Sequence, residues 1–408
     1  MEITGLRFEE LTGTLDVDPD EFYEGRLSRP IDLYPEFGRE TATDVYVGEQ
    51  ATEETATDTA ENDRLEITQT FVFVETDVGL TGVAGPISRL WARLAATFED
   101  VLLGEDPRAT ERVWDQLYRS AVHGRKGKTM QAVSVLDCAL WDLKGKQYDE
   151  PVYRLLGGPT REELPAYASM LGYSAEPDRV HERAGEFAER GYDAQKWFFR
   201  HGVGDGCEGK RRNLDLARAA REAVGEEYDL MFDCWMSWDR TYALDVIPDL
   251  AVVDPRWVEE PVQPDKLGIY AELREAAPFP IAGGEHEYTR WGMQDLLECR
   301  AVDLLQPDAF WAGGLTELRH ACSLASAYDV PVVPHGHSVP TTVHLVASLP
   351  ATVCPLVEYL VKWNEKLQYF LADPIQPENG TIDLPDRPGL GIVLDESAIE
   401  SRTVLAFD

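Results

Sequence analysis

A chain of 408 residues with 44% hydrophobic content is long enough for two domains and a sizeable core. It carries 74 acidic residues against 38 basic ones, a net charge of −36, and no basic stripe, which argues against nucleic acid as a partner. No run reaches the roughly 18 apolar residues a membrane helix needs, and the opening MEITGLRFEE lacks the basic and apolar regions of a signal peptide, so a soluble cytoplasmic protein with no membrane partner is expected. The acids are spread along the whole chain, and their mutual repulsion is relieved by concentrated salt, which predicts a salt-adapted, halophilic protein. Cys138, Cys207, Cys234, Cys299, Cys322 and Cys354 form no CxxC pair and are expected to be reduced packing residues, Cys234 included despite its place beside Asp233.

Along the chain, LRFEELTGTL and RLEITQTFVFVETDVGLTGVAG have the β-branched and aromatic content of strands, with DVGL as a turn. Between them lie RPIDLYPEF and then EQATEETATDTAEND, an acidic, Thr-rich stretch nearly free of large apolar groups. Residues 48–63 are expected to form a surface loop, with a mobile lid as the sharper alternative. Apolar residues at three- and four-residue steps predict helices in SRLWARLAATFEDVLL, TERVWDQLYRSAV and MQAVSVLDCALWDLKGK. From residue 164 strand and helix alternate. LPAYASM and DAQKWFF are the first two strands; YDLMFD, RWVEE, FPIAGGE, VDLLQPD, VPVVPH and PLVE complete eight. Seven helical patterns lie between them, and none is evident after the last. A polar, turn-rich tail follows, expected to return to the N-terminal domain.

Asp233, Glu259, Glu285, Asp308, His335 and Glu358 stand at or just past the ends of the last six runs, at intervals of 26, 26, 23, 27 and 23 residues. A step of about two dozen residues fits one strand, one helix and two loops. It describes a β/α barrel with all six side chains at one mouth, where barrel enzymes place their chemistry. Three carboxylates on consecutive strands, Asp233, Glu259 and Glu285, repel one another unless a cation sits among them. Oxygen ligands alone favour a hard ion such as Mg2+; helix capping is the alternative for any one of them. Asp308 beside His335 would fix the imidazole tautomer and raise its proton affinity, which makes a general base. His337, two residues on, ranks second for that role. Lys196, in DAQKWFF, is placed to neutralise a substrate carboxylate, and Glu358 to share a proton with it if its pKa is raised. Strand-end salt bridges are the alternative for both. His286 is expected either to touch substrate or to support Glu285.

VLDCALWDLKGK followed by PVYRLLGG, then DCW, VEEP, GGEH, QPD and VPH in order, resemble the mandelate racemase subgroup of the enolase superfamily over nearly the whole chain. GGEHEYTRWG, QKWFFRHG, LQPDAFWAGGLTEL and RPIDLYPEF resemble its rhamnonate dehydratase-like acid-sugar branch. The resemblance implies an α/β fold: a (β/α)7β TIM-like barrel over 161–369 under an α+β capping domain over 1–160, completed by 370–408. It also implies Mg2+ on Asp233, Glu259 and Glu285, removal of the proton next to a carboxylate, and a homo-oligomer.

Racemases of this subgroup carry a Lys-x-Lys strand whose second lysine is a base on one face. Here the strand reads Lys196-Trp197-Phe198. Inversion needs a base on each face, whereas a dehydratase needs one, so the phenylalanine favours β-elimination. The expected enzyme is a Mg2+-dependent hydro-lyase that converts an aldonic acid, its small-molecule partner, to a 2-keto-3-deoxy sugar acid. An epimerase of the same subgroup and a catalytically silent sugar-acid binder are the alternatives. Arg26, Arg29, Asp32 and Tyr34 are nominated as substrate-recognition residues.

Overall fold

The computed structural model describes residues 1–18, 22, 24–34, 37 and 64–407. The expected acidic loop at 48–63 lies outside them.

Strands β1 (Ile3–Asp16), β2 (Arg64–Thr76) and β3 (Thr81–Ile87) form an antiparallel sheet in which Phe8 faces Val72 and Val72 faces Ala84. The first half of β2 alternates buried and exposed side chains, as a sheet with one wet face requires. Its second half is buried throughout. The helix Lys128–Tyr148 packs on this sheet and is itself almost wholly buried. Asp142 of that helix accepts the backbone N–H of Val83 at 2.8 Å, and a Cβ at Gly82 would lie 2.2 Å from the Ala139 carbonyl. Only glycine allows that approach. The helix expected over SRLWARLAATFEDVLL is two, Arg89–Ala96 and Glu99–Leu102. At the break the Thr97 hydroxyl donates to the Leu94 carbonyl at 2.6 Å.

Seven parallel strands follow in the spatial order β10–β4–β5–β6–β7–β8–β9. They are β4 (Glu163–Ser169), β5 (Ala194–Phe198), β6 (Asp229–Asp233), β7 (Trp257–Glu259), β8 (Ile281–Gly283), β9 (Leu304–Leu305) and β10 (Val357–Leu360). The expected strand VPVVPH is reduced to one bridge, Val332 with Leu305. Pro331 and Pro334 have no N–H to offer a ladder, which leaves only Val332 and Val333 to pair. Val333 still donates to Leu305 at 2.9 Å and Val332 to the Val353 carbonyl at 2.8 Å, so the segment fills its place in the curled sheet. Inside, one buried side chain from each of eight strand positions, from Tyr167 on β4 through Trp257 on β7 to Leu356 just before β10, forms a separate apolar layer. The rings of Tyr167 and Trp257 meet edge to face at 5.7 Å across it. This is the filled interior of a β/α barrel.

Helices connect successive strands, and the last strand also has one: Val361–Leu367 follows β10 directly, where none was expected. Its apolar residues, Val361, Trp363 and Leu367, are too few to show a helical period in sequence. The tail then adds β11 (Thr381–Asp383) antiparallel to β4 and β12 (Ser401–Leu405) antiparallel to β1, with Phe8 opposite Leu405. The first sheet therefore holds strands from both ends of the chain. Among the described residues no helix is long and apolar enough to cross a membrane. The cysteines are all free, and Cys234 is buried among packing residues.

Candidate active site at the barrel mouth

Two strands deliver their last residue into the mouth by turning sharply behind it. β6 ends on Asp233, whose Oδ1 accepts the Trp235 N–H at 2.8 Å, and Trp235 and Met236 take φ of 41° and 62°. β7 ends on Glu259, and Glu260 after it has φ 41°. Left-handed backbone at such residues costs about 1–3 kcal/mol each and gathers where a site must be aimed.

The carboxylate oxygens of Asp233, Glu259 and Glu285 lie within 4.8 Å of one another, and all three residues are buried. Lys196 of β5 reaches into this group. Its Nζ donates to Glu259 Oε1 at 2.6 Å and lies 2.8 Å from Glu358 Oε1 and 3.3 Å from Asp233 Oδ2. Burial opposes charge on Lys196, but Glu259, Glu358 and Asp233 outweigh it and hold the ammonium well above the ordinary lysine value. One cation does not balance the acids. Burial, then the charge of Glu259, pushes Asp233 well above the carboxylate range, and burial raises Glu285 to about 7 against the pull of His335. A buried, oxygen-only set that still repels itself with a lysine inside it fits a hard divalent cation such as Mg2+.

His335 sits beside this group. Its Nδ1 is 2.7 Å from Asp308 Oδ2, and its Nε2 is 3.7 Å from Glu285 Oε2. Burial disfavours the imidazolium, yet Glu285 and Asp308 outweigh it and push His335 up to about 10. His337 differs. It packs against the rings of Trp91, Phe310 and Trp311, and burial lowers it to about 4. It is turned into aromatic packing and is not among the described residues that line the cleft, so its second place as a base is withdrawn.

Glu358 also departs from expectation. It lies within β10, with Oε1 accepting from Ser169 Oγ at 2.7 Å and from Lys196, and Oε2 accepting from the Gly336 N–H at 2.9 Å. Burial favours its neutral form, but Lys196 outweighs that and holds it below the usual carboxylate range. Glu358 is ionised, with no proton to share; it anchors Lys196 and the turn after His335. His286 lines the cleft with its Nδ1 2.9 Å from Glu260 Oε2. Glu260, Glu285 and His286 form a second close cluster of donors that shares Glu285 with the first.

The cleft above these groups is open to solvent, with about 600 Å3 of unfilled space that includes solvent at its mouth. Phe198, Trp235 and Trp311 wall it from the barrel side, and Leu27, Trp91 and Gln131 from the N-terminal domain. Arg29 and Tyr34 are not among its described lining residues. Arg29 is buried with its Nη2 2.9 Å from Asp32 Oδ1, Arg26 also binds Asp32, and Tyr34 is 56% exposed. These arginines shape the segment around Asp32. Glu260, Gln306, Trp311, Lys128 and Gln131 were not read as site residues. The VEEP doublet was a signal for Glu260; nothing local marks Lys128 and Gln131, which a distant helix brings to the mouth.

Residues 179–398 match the family described as enolase C-terminal domain-like, and residues 42–157 the mandelate racemase / muconate lactonizing enzyme N-terminal domain. The chain belongs to the enolase superfamily, in its mandelate racemase subgroup. It is 37% identical over 327 residues to the L-rhamnonate dehydratase of Saccharopolyspora erythraea, covering 78% of this chain and 80% of that one. It is 35% identical over 345 residues to the D-galactarolactone cycloisomerase of Agrobacterium fabrum, covering 80% and 89%. The structure of rhamnonate dehydratase from Gibberella zeae complexed with Mg superposes with a TM-score of 0.81 at 31% identity, covering 97% of this chain and 95% of that one. Within the superfamily, this chain resembles the rhamnonate dehydratase-like members.

Proposed function

We propose that this enzyme is a Mg2+-dependent hydro-lyase that removes water from a sugar acid with hydroxyls at C2 and C3, giving the 2-keto-3-deoxy acid. The observation that carries the reading is the asymmetry of the cleft: the His335–Asp308 pair lies beside the carboxylate cluster, Phe198 takes the position of the second lysine of the racemase motif, and Lys196 is held as an ammonium by three carboxylates. The similarity to dehydratases of acid sugars supports it.

Asp233, Glu259 and Glu285 would hold the metal. Bound there, Mg2+ supplies the positive charge that acidifies the proton next to the substrate carboxylate. Asp308 accepts from His335 Nδ1; Glu285 is the largest cause of the raised His335 proton affinity, so with the Glu285 charge offset by a bound cation Nε2 would be free to take the proton from C2. The electron pair shifts toward the carboxylate and then forms the C2–C3 double bond as the C3 hydroxyl departs. His335 returns its proton to that hydroxyl, so water leaves and no net proton is consumed. The enol that remains releases the proton of its C2 hydroxyl, takes one at C3 and becomes the 2-keto acid. The Lys196 ammonium, fixed by Glu358 and Glu259, adds positive charge near the developing carboxylate dianion.

Proton NMR in molar KCl, D2O and Mg2+ against pentonic, hexonic and 6-deoxyhexonic acids tests the reading. A 2-keto-3-deoxy product supports it. Deuterium entering C2 without loss of water replaces it with an epimerase, and silence across the panel overturns it.

A further inference from the structure

Two buried polar atoms of cleft-lining residues have no hydrogen-bond partner among the described residues: Gln131 Oε1 and Trp311 Nε1. Their residues are 2% and 8% exposed. Leaving such an atom unpaired costs about 1–3 kcal/mol. Other tryptophans avoid that cost: the indole N–H groups of Trp114, Trp141 and Trp238 donate to Gly313 O, Thr316 Oγ1 and His201 O. Trp311 hangs from the loop after β9, its ring 4.9 Å from that of His335 and 5.6 Å from that of His286. Gln131 comes from the other side, in the first turns of the helix Lys128–Tyr148.

We infer that Gln131 and Trp311 form a recognition subsite for the hydroxyl groups of a polyhydroxy chain, the part of the sugar acid beyond C3. One atom is an acceptor and the other a donor, and a hydroxyl serves both. A methyl group serves neither atom. Lys128, on the same helix and lining the same cleft, has no acid partner among the described residues, whereas nearby Lys126 pairs with Glu287 at 2.8 Å. It provides a further donor for the same chain. The subsite rests on the sugar-acid reading above and narrows it to substrates with a free hydroxyl beyond C3.

Calorimetric binding in the presence of Mg2+ tests this, in a His335→Asn background that prevents turnover. The ligands are an aldonic acid and analogues lacking one hydroxyl from C4 outward. Gln131→Met, close in volume but without the acceptor, is expected to weaken the parent acid about tenfold while leaving one deoxy analogue unaffected, the non-additivity that marks a direct contact. Trp311→Phe repeats the test with the donor removed. Equal weakening toward the parent and every analogue, no weakening, or no binding of any acid overturns the subsite. Product formation by the unmodified enzyme is scored separately. Dehydration without hydroxyl coupling removes the subsite and keeps the dehydratase; coupling without dehydration does the reverse.

Discussion

His335 lies between two carboxylates, with Nδ1 2.7 Å from Asp308 Oδ2 and Nε2 3.7 Å from Glu285 Oε2. One of these acids orients the ring, while the other belongs to the cluster suited to a metal. The base and the metal ligands are thus adjoining parts of a single charge system, and each can be disturbed separately.

Replacing His335 by Asn should lower turnover by roughly 100-fold or more while leaving metal affinity nearly unchanged, since general base catalysis is worth about that factor. Product formation and a Mg2+ titration on the same preparation check both halves. Asp233→Asn should weaken metal binding first.

Lys196→Met should destabilise the metal-free protein by about 3–5 kcal/mol, because it strands buried acids without their cation. Added Mg2+ should recover part of this by binding the folded state. The check is the rise in melting temperature on adding Mg2+, which should be larger in the variant than in the parent.

A pH dependence should come from a group outside the cleft lining. Asp137 is buried in the helix Lys128–Tyr148, accepts from Thr316 N and Oγ1 at 2.9 and 2.6 Å, and is pushed up to about 7 by burial. Its folded form holds a proton that the unfolded chain has released, so its contribution is fully present below the ordinary aspartate value of about 4 and is lost as pH rises toward 7. Melting temperatures across pH 4 to 8 should fall less steeply in Asp137→Asn than in the parent.

The charge of −36 should make stability depend on salt. At molar KCl the screening length is about 3 Å, too short for most surface acids to repel. The melting temperature should climb as KCl rises toward molar concentration, and a flat response would remove the case for salt adaptation.

The spacing of Asp233, Glu259, Glu285, Asp308 and His335 was legible in sequence because each lies near the end of an apolar run, a local pattern. Phe198 was legible by contrast with a family motif. The weakened strand around Val332 was also legible in principle, since Pro331 and Pro334 stand in plain view. The state of Glu358 was not, because it depends on where the Lys196 ammonium settles after six strands have closed around it. Gln131 and Trp311 were hidden for the same reason: 180 residues separate them in the chain, and only packing of the N-terminal domain over the barrel gives them a common cleft.

The apolar layer that runs from Tyr167 through Trp257 to Leu356 closes the barrel beneath the site and gives the cleft a floor. Traffic does not pass through the barrel. An acid that enters from above must leave on that same side, and so must any water split from it. Leu27 is part of the wall there, so a bulky side chain in its place should slow entry and exit together.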